Sequence, residues 1–190
     1  MSTKKKIVVG MLAMVIAIVG AGVVSKVEAV GVSNTVSLKV TVAPGLSIDV
    51  GTATYSFGSL GVNETKISTG AIPVKNDSAG LTEDFRITGA NADANWTINN
   101  STNGVNQFHL KALLNTTQPT YANFTAVYST LSTVIANMSA ANYGGNQNGN
   151  NVTSGSSLNL WFLLITPTET SSTAQQNITV TLTAADVGTF

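Results

Sequence analysis

The sequence predicts an all-β protein: a single β-sandwich, jelly-roll or Ig-like, of about nine strands with one inserted helix, preceded by a hydrophobic N-terminal signal helix. Three observations support this prediction. Short runs of alternating apolar residues recur along the chain, each bracketed by Gly, Pro, Asn or Asp, as in strands joined by tight turns. Charged residues make up only 9% of the 190 residues. One long uncharged apolar run lies near the N-terminus.

Residues 1–29 have the pattern of a signal peptide. Lys4–Lys6 precede the apolar run Ile7–Val24, and Ala29 ends a small-residue cleavage site. Cleavage after Ala29 predicts a secreted, extracellular or cell-surface protein that meets the membrane only through this segment. Two alternatives remain. The run has the length of a transmembrane anchor, and a cut after Gly10 would instead give the retained helix of a type IV pilin or archaellin.

Residues 30–42 form the first element of the predicted domain 30–190. Their even positions are apolar except for Asn34, which predicts a half-buried strand. Thirteen residues span about 43 Å, more than a usual strand. A terminal strand of this kind can pair with the open edge of another subunit, and pairing within its own domain is the alternative. The anchors would be Val36, Leu38, Val40 and Val42.

The other strands follow in order. Residues 158–165 are almost continuously apolar, which predicts a central strand covered on both faces. The alternating runs lie at Leu46–Val50, Tyr55–Phe57, Ile72–Val74, Phe85–Ile87, Trp96–Ile98, Phe108–Ala112 and Ile178–Leu182.

One segment departs from the alternating pattern. From Phe124 the apolar residues draw one stripe on a helix, which predicts a helix that buries this stripe at one end or edge of the sandwich. The stripe consists of Phe124, Val127, Tyr128, Leu131, Val134, Ile135 and Met138. Gly144 and Gly145 would end it, and the Gly- and Asn-rich stretch up to Asn151 would be an exposed loop.

Composition excludes several classes of function. Residues 30–190 hold five basic and eight acidic residues, a net charge of −3, with no basic patch for nucleic acid. The chain has no cysteine, no zinc or phosphate-loop motif and a single histidine, His109, whose place beside Phe108 predicts a solvent-facing side chain. We therefore predict no enzyme activity, no metal site and no cofactor.

Asparagine sequons are about twice as frequent as chance predicts. Several lie out of phase with their apolar neighbours and are expected to face solvent, where a glycan can be added; the alternative is that Asn and Thr serve only as solubilising residues. The candidates are Asn63, Asn76, Asn95, Asn99, Asn100, Asn115, Asn123, Asn137, Asn151 and Asn177.

Aromatic residues allow a sugar-binding interpretation. Trp96 and Trp161 are in phase with apolar neighbours and are predicted to lie in the core, whereas Tyr121 and Tyr143 flank the predicted helix as candidate surface platforms.

The order of several short motifs resembles a known group of proteins. Phe57-Gly58, Val74-Lys75-Asn76, Trp96 and a late Ile178-Thr179-Val180 strand are similar to TasA-like biofilm fibre subunits and archaeal bundling pilins. The resemblance implies a secreted β-sandwich that polymerises by donor-strand exchange, with each subunit inserting its N-terminal strand into the next. The chain lacks the cysteines and the terminal tyrosine strand of chaperone-usher pilins.

The sequence therefore predicts a homopolymeric structural subunit of an extracellular filament, pilus or surface layer. A monomeric cell-surface adhesin or carbohydrate-binding module, with glycans as its partners, is the alternative from another class.

Overall fold

The computed structural model describes residues 45–51, 54–92, 95–126 and 128–189. The predicted signal peptide 1–29 and strand 30–42, with the anchors Val36, Leu38, Val40 and Val42, lie outside these residues. The elements are β1 (Ile48–Val50), β2 (Thr65–Ile67), β3 (Ile72–Asn76), β4 (Glu83–Gly89), β5 (Thr97–Ile98), β6 (Gln107–Leu114), α1 (Tyr121–Ala126), β7 (Ala136–Asn137), β8 (Ser157–Ile165) and β9 (Val180–Asp186). The predicted all-β class is confirmed, since the strands form two sheets. No helix within the described ranges is long and apolar enough to cross a bilayer.

The larger sheet is built around β8. Its order is β1-β3-β8-β6-β5, and β2 also pairs with β8. β6 runs along one edge of β8, so β3 and β2 must share the other edge, where they pair with its first and second halves. Residues 160–164 of β8 are all buried, which confirms the predicted central strand.

The smaller sheet has the order β7-β4-β9. β4 lies in the middle and pairs antiparallel with β9 over its whole length, from Glu83 opposite Asp186 to Gly89 opposite Val180. β7 adds only two residues on the other edge of β4.

The main hydrophobic cluster draws on both sheets. It includes Val74 and Phe108 of the larger sheet and Phe85 and Ile87 of the smaller one, all fully buried. Alternate residues of β8 face away from this cluster, and Trp161 and Leu163 there pack with Leu113 and with Phe124 of α1. The helix therefore covers the second face of β8 and gives Trp161 a buried position, as predicted.

The predicted helix from Phe124 to Met138 is wrong beyond Ala126. α1 begins earlier, at Tyr121, and has six residues. The chain then runs beside β6, where the Ser129 carbonyl accepts from Ala112 N–H at 2.8 Å and Leu131 N–H donates to the Leu110 carbonyl at 2.9 Å. These bonds provide partners for backbone groups on the edge of β6 that faces away from β8. The β-branched and hydroxyl residues of the segment also favour an extended backbone.

Two further predictions differ from the structure. Tyr55–Phe57 lies in no strand, and the interval Trp96–Ile98 contributes only the two residues of β5, which pair parallel with β6. β2 and β7 were not predicted, because strands of two or three residues are too short to show alternation.

Candidate functional site

The candidate functional site is the outer edge of β9, a terminal strand of the smaller sheet. Within the described ranges β9 pairs only with β4. Antiparallel partners alternate between bonded and non-bonded pairs, and Ala90 N–H donates to the Thr179 carbonyl at 2.9 Å. Thr179 is therefore in a bonded pair, and so is every second residue after it: Thr181, Thr183 and Ala185 form their backbone hydrogen bonds with β4. The backbone N–H and C=O groups of Val180, Leu182 and Ala184 therefore point away from β4, towards the side on which no strand lies within the described ranges.

The side chains of the same three residues face the core. Directly opposite residues of an antiparallel pair share a face, and Leu182 lies opposite Ile87, Ala184 opposite Phe85. Phe85 and Ile87 are fully buried, whereas Val180, Leu182 and Ala184 are only half-buried. The core is thus closed over β4 and left partly uncovered at β9. We call this strip of backbone and side chains, residues 178–184, the β9 edge.

The edge strand of the larger sheet lies on the same side. β1 contacts β9. Its Ile48 and Val50 are also half-buried, and they pack against the outside of the main hydrophobic cluster. The apolar rim between the two sheets is therefore continuous from β1 to β9.

A buried carboxylate fixes the chain where it enters β1. Glu83 has no solvent exposure, and its Oε1 accepts from Ser47 N–H at 2.7 Å. The Ser47 carbonyl accepts from Asp77 N–H at 2.8 Å. Ser47, near the start of the described fold, is therefore clamped near the C-terminal end of β9.

Asp84, the next residue of β4, holds the same C-terminal end of β9 in a similar way. It is 2% exposed, and its two carboxylate oxygens accept from Asn151 N–H at 2.7 Å and Gly188 N–H at 3.0 Å. Gly188 has a φ of 75°, which favours glycine at this turn. The two carboxylates thus fix the start of β1 and the C-terminal end of β9 at the same end of β4, a feature that the sequence pattern does not reveal because neither carboxylate belongs to a recognisable motif.

The ten sequons divide by exposure. Asn76 is fully buried, and its Nδ2 donates to the carbonyls of Leu81 and Val152, so a glycan there is incompatible with this fold. Asn99, Asn115 and Asn137 are half-buried. The exposed candidates are Asn63, Asn95, Asn100, Asn123, Asn151 and Asn177.

The predicted aromatic platforms also divide. Tyr121 is 52% exposed, but Tyr143 is 4% exposed and its hydroxyl donates to the Thr130 carbonyl at 2.8 Å, so its prediction as a surface platform is wrong. Trp96 is half-buried against Phe108, with ring centroids 6.4 Å apart.

His109 is buried, contrary to the prediction. Its Nδ1 lies 3.0 Å from the Asn99 carbonyl and its Nε2 3.4 Å from Thr130 Oγ1. Asn99 and Thr130 therefore cover the face of β6 on which His109 lies. The alternation of residues along β6 does not indicate this cover, because it comes from other segments of the chain. Burial lowers the pKa of His109 below its ordinary 6.5, and the charge of Lys111 lowers it further.

This lowered pKa predicts a loss of stability in acid. Above pH 6.5 the ring is neutral in both folded and unfolded chains. Below pH 6.5 the unfolded chain binds a proton that the folded chain does not, so the free energy of unfolding falls until the folded pKa is reached. Thermal melts between about pH 8 and about pH 5 should show a steeper decline for the wild type than for His109→Gln; parallel curves would contradict this role for the ring.

The described part of the chain also bears on metal binding. No group of three or more His, Cys, Asp or Glu residues there is placed to hold a metal ion. Comparisons with protein-family models, curated proteins and solved structures find no match to this chain.

Proposed function

We propose that this chain is an exported, non-enzymatic structural subunit of an extracellular filament, pilus or surface layer, and that it polymerises through its N-terminal strand, residues 30–42. In this proposal the two sheets form a β-sandwich that is incomplete between β1 and β9. The observation that carries the proposal is the β9 edge, where core-facing Val180 and Leu182 are only half-buried, whereas Ile87, opposite Leu182, is fully buried.

The N-terminal strand has the chemistry that this edge needs. Its alternating Val and Leu side chains can cover the half-buried side chains of the β9 edge. Its backbone can supply partners for the N–H and C=O groups of Val180, Leu182 and Ala184 that point away from β4. Thirteen residues exceed the seven of β9, so the strand can pair along the whole edge. Lys39 is the only charge within it.

The occupant that we propose is residues 30–42 of a second copy. These residues precede the clamped Ser47 by only a short link, and after cleavage at Ala29 their other end would be free. Each subunit would thus offer one strand and one edge, a head-to-tail arrangement that propagates as a filament. Pairing with the same chain's own strand would instead give a monomer.

Substitution of Ala184 by proline tests the edge directly. Ala184 N–H points away from β4, so proline leaves the β4–β9 ladder intact while removing one donor from the free side. A lost hydrogen bond with a partner left unsatisfied is expected to raise the critical concentration for polymerisation roughly tenfold. Sedimentation and negative-stain microscopy of the secreted protein measure this.

Ala184→Ser is the matched control, because it changes the same side chain and keeps the N–H group. It should polymerise like the wild type, and both variants should show the wild-type circular dichroism spectrum. Normal filaments from a folded Ala184→Pro protein, or a wild-type protein that is only monomeric, would refute the proposal.

A further inference from the structure

A polar groove lies beside β6, on the segment that links α1 to β7. Its main part encloses about 510 Å³, which is within the range of small-molecule sites. A smaller part of about 320 Å³ adjoins it, and the two parts share Asn100 and Ser132. We call the two together the polar groove. The residues used in the argument are Asn100, Lys111, Tyr128, Thr130, Ser132 and Asn142.

Tyr128 forms an exposed wall of this groove. It is 83% exposed, the highest value among the large apolar side chains that the structure describes as exposed. Its backbone is nevertheless fixed, because the Tyr128 carbonyl accepts from Tyr143 N–H at 2.9 Å and Tyr143 is anchored in turn to the Thr130 carbonyl. An aromatic ring held in solvent on an ordered backbone is suited to stack on a ligand.

The polar partners around Tyr128 are available. The side-chain amides of Asn100 and Asn142 have no hydrogen-bond partner in the described part of the protein, although each offers two donors and one acceptor. Lys111 Nζ contacts only the Phe124 carbonyl, at 3.3 Å. The lining residues that the structure describes include no carboxylate and no second cation.

We infer that the polar groove is a saccharide-binding site, in which a sugar ring stacks on Tyr128 and its hydroxyls bond to the amide of Asn142, to Lys111 and, in chains that carry no glycan at Asn100, to the amide of Asn100. Amides that both donate and accept suit adjacent hydroxyls, which do the same. A single lysine is too little for a nucleic acid backbone, and a polar lining does not suit an apolar ligand. This site is separate from the β9 edge and does not depend on polymerisation.

Oligosaccharide binding by purified protein from a host without N-glycosylation tests the inference. The probes are cello-, manno-, chito- and galacturono-oligosaccharides, measured by calorimetry or by affinity electrophoresis on the corresponding polysaccharides. At least one class should bind, and Tyr128→Ala should weaken that binding about tenfold. Preference for the galacturonate series would indicate pairing of its carboxylate with Lys111.

Tyr121→Ala is the matched control, since Tyr121 is also exposed but does not line the groove. It should bind like the wild type. Asn142→Ala provides a second test, with an expected loss of severalfold for one hydrogen-bonded group. Both tyrosines are exposed, so the melting temperatures of the two tyrosine variants should stay close to that of the wild type.

A second series of probes distinguishes the source of the sugar. Glycans released from the protein purified from its natural host, if they bind at the groove in preference to the panel, would indicate that it holds the glycan of a neighbouring copy. Binding to the panel alone would indicate an external polysaccharide. Absence of binding to either series, or equal binding by Tyr128→Ala and the wild type, would overturn the inference.

Discussion

Aspartate at Val36, Leu38 and Val40 together is expected to abolish polymer formation while export continues. In the proposed assembly these side chains fill the half-covered row of the β9 edge, where each buried Val or Leu contributes roughly 1.5–3 kcal/mol. Three substitutions remove that contribution and would also bury three carboxylates without partners, which costs more again. The proposed signal segment 1–29 is unchanged, so export of the protein should continue. Negative-stain microscopy and size-exclusion chromatography of the culture medium measure both outcomes.

The opposite phase of the same strand supplies the control. Thr35, Ser37 and Thr41 alternate with the anchors, so aspartate at these three positions adds the same charge to the outward face of the proposed strand. This control should still polymerise. Filaments of normal abundance from the first variant would exclude strand exchange, and equal loss in both variants would indicate a general charge effect.

Mass spectrometry of the mature N-terminus separates the strand-exchange assembly from the pilin-type alternative. A chain that begins at Val30 would support the proposed free strand, whereas a chain that begins at Met11 would keep most of the apolar run 7–24 and would support the pilin-type alternative. The same digest reports which of the exposed sequons carries a glycan, and we expect Asn76 to carry none because it is fully buried.

Long, strongly patterned strands were predictable from sequence. The continuous apolar run of β8 indicated a central strand, and the alternation at Phe85 and Ile87 identified the core-facing side of β4. Both signals depend on side chains that must be buried whatever their neighbours are. The β9 edge was predictable only as a strand, because its exposure depends on what lies beside it.

The errors arose where a neighbouring segment changed the environment. His109 was expected in solvent because it alternates with Phe108, but the second face of β6 is covered as well. Tyr128 was assigned to a buried helical stripe, yet its segment pairs with β6 and leaves the ring exposed. Periodicity describes one element at a time, so it does not report these long-range contacts, and the polar groove they create was not predictable.

The Gly- and Asn-rich stretch before Asn151 is a further case, because it was expected to be an exposed loop. Gly149 is in fact buried, and it joins three segments. Its N–H donates to the Met138 carbonyl at 2.7 Å, its carbonyl accepts from Phe85 N–H at 2.7 Å, and Met138 N–H donates to the Phe85 carbonyl at 2.9 Å. This closed set of bonds requires a very close approach of backbone at Gly149.

Gly149→Ala is therefore expected to be strongly destabilising. A Cβ atom at this position would lie 2.5 Å from the Met138 carbonyl oxygen and 2.7 Å from Met138 Cβ, and neither atom is the end of a flexible side chain. Relief of the clash must move β4 or the residues after β7, at a cost of about 3 kcal/mol. For a domain of this size the melting temperature should fall by roughly 6–12 °C, measured by circular dichroism or calorimetry.

Gly70→Ala is the matched control for this substitution. A Cβ atom at Gly70 would have no heavy atom within 4 Å, and Gly70 is not among the residues with positive φ, so alanine fits without strain and restricts only the unfolded chain. Its melting temperature should equal or slightly exceed that of the wild type. If both alanines had the same effect, the destabilisation would not come from the close approach at Gly149. If only Gly149→Ala melts early, the Gly- and Asn-rich stretch is a structural part of the smaller sheet, because its backbone carries bonds that hold Phe85 and Met138 in place.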